Sequence, residues 1–109
     1  MEREVLHACS SIDAVFSLLG KRWNGQIIDV MFQRPVTFTE LVDAIPGLSH
    51  RMLSQRLREL QECRVVEKVQ EDSRIEYRLT EAGARLEPAF HSLRRWAHDQ
   101  IQEGAHSHP

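Results

Sequence analysis

PGLSHRMLSQRLRELQEC, residues 46–63, is the stretch on which the reading of this chain turns. Pro46 and Gly47 make a sharp turn, Ser49 supplies a cap, and about four turns of helix follow. Leu53, Leu57 and Leu60 share one side at the i, i+4, i+7 spacing of a buried stripe. Arg51, Ser54, Gln55 and Arg58 fall on the opposite side. Two guanidinium forks, an amide and a hydroxyl can meet phosphates and base edges alike. The acids Glu59 and Glu62 are held to the C-terminal half, where they are expected to face away from phosphate. Between His50 and Arg58 there are three arginines and no acid. The pattern predicts a helix that enters a DNA major groove, with Ser49 and His50 at its leading end.

Just upstream, residues 39–45 fit a short helix with Leu41, Val42 and Ile45 turned inward. Thr37, with Glu40 at capping-box spacing, or Thr39 would cap it, and Pro46 ends it. A short helix, a tight turn and a longer helix make a helix-turn-helix. Val36-Thr37-Phe38 is β-prone and fits a single edge strand. Before it, residues 23–32 predict a helix with Trp23, Ile27, Val30 and Met31 on one face and Pro35 beyond its end. Residues 11–19 predict another, capped by Ser10 or Ser11, with Ile12, Val15, Phe16 and Leu19 as its stripe and Gly20 as its stop.

Past Cys63 the period changes from 3.6 to 2. Val65, Glu67 and Val69 alternate against Val66 and Lys68, and Ile75, Tyr77 and Leu79 against Glu76 and Arg78. Residues 70–74, QEDSR, form the polar tip between them, and Arg74 there is placed to touch a DNA backbone or minor groove. A hairpin following a helix-turn-helix is the wing of a winged helix. Thr80 opens a final helical region in which Leu86, Phe90, Leu93, Trp96, Ala97 and Ile101 make a stripe of about five turns. Pro88 should bend it or restart it. A small core cannot cover that much apolar length, so the surplus predicts the same helix of a second copy as its partner. The fold class is mostly α with a small β-hairpin wing, dimeric through the N- and C-terminal helices. Residues 1–8 read as an arm, 9–103 as the domain and 104–109 as a disordered tail.

At 109 residues, 41% hydrophobic and 28% charged, the chain has the composition of one ordinary globular domain. A core of that size is modest, so burial in a dimer would add to it. No apolar run reaches membrane-spanning length, and Glu2, Arg3 and Glu4 leave no room for a signal peptide, so no membrane partner and a cytoplasmic setting are expected. The net charge of −2 excludes a generic polycation, and any DNA affinity must come from local charge. With no glycine-rich phosphate loop, nucleophile elbow or acid pair, an enzyme is not expected. The two cysteines have no zinc spacing, and His91 and His98 lie two helical turns apart, so no metal or other cofactor is expected. Cys63 is expected to be structural. Cys9 precedes the first helix, whose N-terminus favours a thiolate, and His7 is close in sequence.

Cys9, LLGKRW at residues 18–23, TFTELVDAIPGLSHRMLSQRLREL at 37–60 and IEYRLTEAG at 75–83 together resemble the HxlR-type winged-helix regulators, a branch of the MarR-like transcription factors. The resemblance covers residues 9–102. It implies a homodimer that binds double-stranded DNA in a bacterial cytoplasm, with residues 49–62 as recognition helix and 65–79 as wing. It also implies a possible oxidant or electrophile sensor at Cys9. The wing is shorter than the family's longer, proline-containing form, which ranks the recognition helix above Arg74 as a DNA contact. Within that helix Arg56 projects toward the buried flank and fits a structural ion pair. Two other readings stand beside the repressor: a MarR-like repressor gated by a small aromatic molecule near Trp23, Phe90 and Trp96, and a winged-helix protein-interaction module without DNA binding.

Overall fold

The leucine stripe of residues 53–60 is the centre of the core. In the computed structural model, which describes residues 4–107, Leu53 and Leu60 are fully buried and Leu57 nearly so. Around them the chain runs α1 (Ser10–Leu19), α2 (Asn24–Met31), α3 (Phe38–Ala44), α4 (His50–Glu62), β1 (Val66–Glu71), β2 (Arg74–Leu79), α5 (Glu81–Ala84) and α6 (Glu87–Ser107). Ile27, Ile28 and Met31 of α2, Leu41 of α3 and Val65 and Val66 at the wing's base close over the stripe. This is a winged helix-turn-helix.

Local chemistry explains the boundaries. Thr37 caps α3 in a full capping box: its hydroxyl accepts the Glu40 N–H, and the Glu40 carboxylate accepts the Thr37 N–H. Thr39, the other candidate cap, lies inside the helix. Because Thr37 must leave the sheet to do this, the expected edge strand shrinks to one bridge. In that bridge Val36 and Tyr77 exchange backbone hydrogen bonds of 2.9 and 2.7 Å. Ser49 caps α4 by accepting the Met52 N–H at 3.1 Å. The turn before it needs Gly47, whose φ of 85° is left-handed.

The wing is a regular antiparallel hairpin registered from Val66↔Leu79 to Glu71↔Arg74. Its strands run further than the predicted tip, leaving only Asp72 and Ser73 as the loop. Thr80 then caps α5 through the Gly83 N–H. The final region restarts rather than bends: α5 ends at Ala84, and Pro88 sits in the first turn of α6, where no helical hydrogen bond is lost. Helix α6 continues to Ser107, through the boundary at 104 where the sequence predicts a disordered tail. Gln102, Glu103 and Ala105 favour helix, and one glycine costs only about 1 kcal/mol against alanine. Residues 1–3 of the predicted arm and 108–109 of the tail lie outside the described residues.

The two ends of the chain behave differently from the middle. Helix α1 starts with Cys9 as its N-cap, not with Ser10 or Ser11, and buries no residue at all. Ile12 and Phe16 are more than half exposed, as are Leu93, Trp96 and Ile101 of α6. The radius of gyration is 17.4 Å, against about 13 Å for a compact domain of this length. The accessible surface of 8621 Å² exceeds the roughly 6,200 Å² expected for a folded monomer of this mass. Among the described residues, no helix is long and apolar enough to cross a membrane.

Candidate nucleic-acid interface

With Leu53, Leu57 and Leu60 locked inward, the geometry of α4 leaves Ser49, His50, Arg51, Ser54, Gln55 and Arg58 exposed. Arg51, Ser54, Gln55 and Arg58 line one shallow depression together with Glu59. Among the described residues neither arginine forms an ion pair, so both guanidinium forks are available to a phosphate or a guanine edge. Ser49 spends its oxygen on the helix cap yet keeps a hydroxyl to donate. His50 sits edge-on to Phe38, with ring centroids 5.6 Å apart, and remains exposed.

Glu59 corrects one expectation. It borders the basic depression instead of facing away from it. Its charge is matched from the other side: Lys21 Nζ and Arg56 both approach Oε2 at 3.2 Å. Lys21, with Arg56 adding to it, holds the Glu59 carboxyl below its usual range. Arg56 takes the structural role expected of it, and its Nε donates to the Arg22 carbonyl at 3.0 Å. The contacts from Lys21 and Arg22 were invisible in the sequence, because 38 and 34 positions separate them from Glu59 and Arg56.

The wing contributes less. Arg74 is the first residue of β2, beside the tip, and does not line the α4 depression. Its Nε donates to Glu76 at 3.0 Å, and a second nitrogen lies 3.9 Å from Glu40. Two carboxylates therefore compete with DNA for it. Glu40 is held by Arg34, and hydrogen bonds from Arg34 and then from the Thr37 N–H lower its pKa to about 2.

Cys9 is exposed, as is Cys63, which overturns the structural reading of Cys63. The N–H groups of Ile12 and then Ser11 lower the Cys9 pKa, although no closed hydrogen bond to the thiol forms. Further along the chain, α1, α2 and α6 frame an open apolar groove of about 610 Å³ that includes Phe16, Leu19, Phe90 and Leu93. Trp23 and Trp96 do not line this groove, so the three aromatics of the small-molecule reading are not gathered into one pocket. Trp23 packs against the core, and Trp96 is 65% exposed.

A family model described as HxlR-like helix-turn-helix matches residues 18–105. The HTH-type transcriptional regulator YodB of Bacillus subtilis (strain 168) is 41% identical over 98 residues, 87% of this chain and 87% of that one. The crystal structure of quinone-bound YodB superposes with a TM-score of 0.74, covering 84% of this chain and 99% of that chain. The redox regulator HypR in its reduced form gives a TM-score of 0.79 at 26% identity, covering 90% and 99%. A MarR-family regulator from Enterococcus faecalis V583 gives 0.79 at 28% identity, covering 97% and 99%.

Proposed function

The chain belongs to the HxlR-like helix-turn-helix family of transcriptional regulators, and on that premise we propose that it is a homodimeric repressor reading a near-palindromic operator through α4. It acts in the bacterial cytoplasm, on the nucleoid. The observation that carries this reading is the face of α4, where Arg51 and Arg58 stand exposed and unpaired among the described residues over a fully buried leucine stripe. Ser49, His50, Ser54 and Gln55 complete the contact surface, and Arg74 adds a weaker one from the wing. The uncovered stripes of α1 and α6 support the dimer. Two copies related by a two-fold axis would read half-sites about 34–36 Å apart, one turn of DNA, or a multiple.

The test is to recover genomic fragments bound by the purified protein and to measure their affinity against salt. Arg58→Ala should lower the magnitude of the log-affinity slope by about 0.9 per copy, about 1.8 per dimer, as two phosphate contacts are lost. An unchanged slope at weakened affinity would move Arg58 from phosphate to base contact. No fragment bound even at low salt would remove DNA binding altogether, leaving the protein-interaction reading.

Cys9 is the sensor in this proposal. It is exposed, the N–H groups of Ile12 and Ser11 shift it toward the thiolate, and a relative 41% identical has been crystallised with a quinone bound. Addition of the thiolate to a quinone forms a carbon–sulfur bond and reduces the ring to the hydroquinone level. One proton goes to one ring oxygen and the hydrogen on the attacked carbon moves to the other, so the ring is reduced by the addition itself and no further oxidant is needed. Treatment with benzoquinone should weaken operator binding, and Cys9→Ser should abolish that response. A Cys9→Ser protein that still responds like the parent would rule the site out.

A further inference from the structure

We infer that Arg56 and Glu59 are positioning residues for base recognition: tied to the Lys21–Arg22 turn, they fix the roll of α4 about its own axis. The inference rests on the operator reading above. It begins from an anomaly on the recognition helix. The Arg56 side chain is only 13% exposed, whereas every other ion-paired arginine among the described residues is at least 51% exposed. An arginine withdrawn in this way is poorly placed to touch DNA. Its contacts lie entirely within the chain: Nε on the Arg22 carbonyl at 3.0 Å, and one terminal nitrogen on both Glu59 oxygens at 3.2 and 3.3 Å.

The far end of this clasp is itself held firmly. Lys21 closes on Glu59 at 3.2 Å, and the Arg22 guanidinium lies 4.5 Å above the Trp23 ring. Next in the chain, the Asn24 amide is fully buried and donates to the Leu18 carbonyl at 2.9 Å. Trp23 packs on the core and bounds the space beside Gly47, in the turn that enters α4. The clasp thus joins the middle of the recognition helix to a turn anchored by Trp23 on the core and by Asn24 on Leu18.

Such a device is needed because apolar packing sets depth better than rotation. The apolar stripe that seats an amphipathic helix is about 100° wide, which leaves room for a small roll about the axis. A roll of about 20° carries a group some 6 Å from the helix axis through roughly 2 Å. That displacement exceeds the tolerance of a hydrogen bond to a base edge, yet a long flexible arginine can still find a phosphate. Loss of the clasp should therefore erode specificity and leave the electrostatic part of binding in place.

The experiment uses the duplex that the full-length parent enriches from a randomised DNA library, against an unrelated duplex of equal length. Arg56→Met keeps the apolar stem and removes the fork. The expected result is a fall of about tenfold in the ratio of specific to nonspecific affinity, with the salt slope and the thermal midpoint close to the parent's. Glu59→Gln, which leaves the bond to Arg22 in place, should lower the ratio by about threefold and serves alone if Arg56→Met does not fold. A slope reduced by about 1.8 per dimer would make Arg56 a phosphate contact and overturn the inference. So would a folded Arg56→Met or Glu59→Gln protein that keeps the parent's ratio. A parent that enriches no duplex would sink the operator reading and this inference together.

Discussion

Helices α4 and α6 are both amphipathic, and they dispose of their apolar sides in opposite ways. Leu53, Leu57 and Leu60 of α4 are all within 2% of complete burial, whereas Leu93, Trp96 and Ile101 of α6 are 51%, 65% and 70% exposed. One helix finishes its packing inside the chain and is thereby held at a fixed depth. The other leaves its packing unfinished, in a molecule that measures 67 Å along its longest axis. The reading head is built by intramolecular burial, and the α6 stripe is left uncovered for the partner that the proposed dimer would supply.

The sharpest way to break this contrast is at Leu57. Leu57→Ala should cost about 2–5 kcal/mol of stability, enough to unfold a marginal domain of this size. Urea denaturation measures it, and a loss below about 1 kcal/mol would mean that α4 is not locked as described. Trp96→Ala should act elsewhere. Sedimentation equilibrium should show the dimer dissociation constant rising about thirtyfold, the equivalent of about 2 kcal/mol, as for a buried aromatic anchor. If instead the substitution lowers the thermal midpoint equally at every protein concentration, the α6 stripe packs within its own chain.

A smaller effect sharpens the picture of the reading head. Glu40 sits on α3 with a pKa of about 2, below the ordinary 4.5, so its contribution is fully present above about 4.5. That contribution is lost as pH falls toward 2, when protonation releases Arg34 and the Thr37 N–H. Glu40→Gln should flatten the acid limb of the stability curve between those values. An acid limb identical to the parent's would show that the charge on Glu40, paired with Arg34, adds no stability.

Most of the reading head was legible in the sequence because its determinants are local. The i, i+4, i+7 leucines, the Thr37–Glu40 spacing, Gly47 and the change to alternation after Cys63 each act within a few residues. The places where sequence and structure part are decided by distant contacts or by competition between local ones. Thr37 serves as a cap and thereby cuts the edge strand to a single bridge. Cys9 replaces Ser10 and Ser11 as the N-cap of α1. Asn24 is buried against the Leu18 carbonyl, and nothing in its neighbours announces that. Of the candidate interface, Arg51, Ser54, Gln55 and Arg58 share one depression on α4, while Ser49 is its N-cap and His50 lies in its first turn, both exposed. Arg74 is drawn aside by Glu40 and Glu76, one of them on a different element.

The uncovered surface of α1 and α6 has a consequence for how much of this protein a cell can keep. A lone copy exposes about 2,400 Å² more than a folded monomer of its mass should. Chaperones and proteases continually triage chains in that condition. Pairing would then protect against turnover as well as align two heads on an operator. At low expression the protein would be cleared faster than at high expression, and its concentration would fall away steeply below the dimer dissociation constant. Silencing by such a regulator would carry a threshold set by proteolysis, independent of any signal at Cys9.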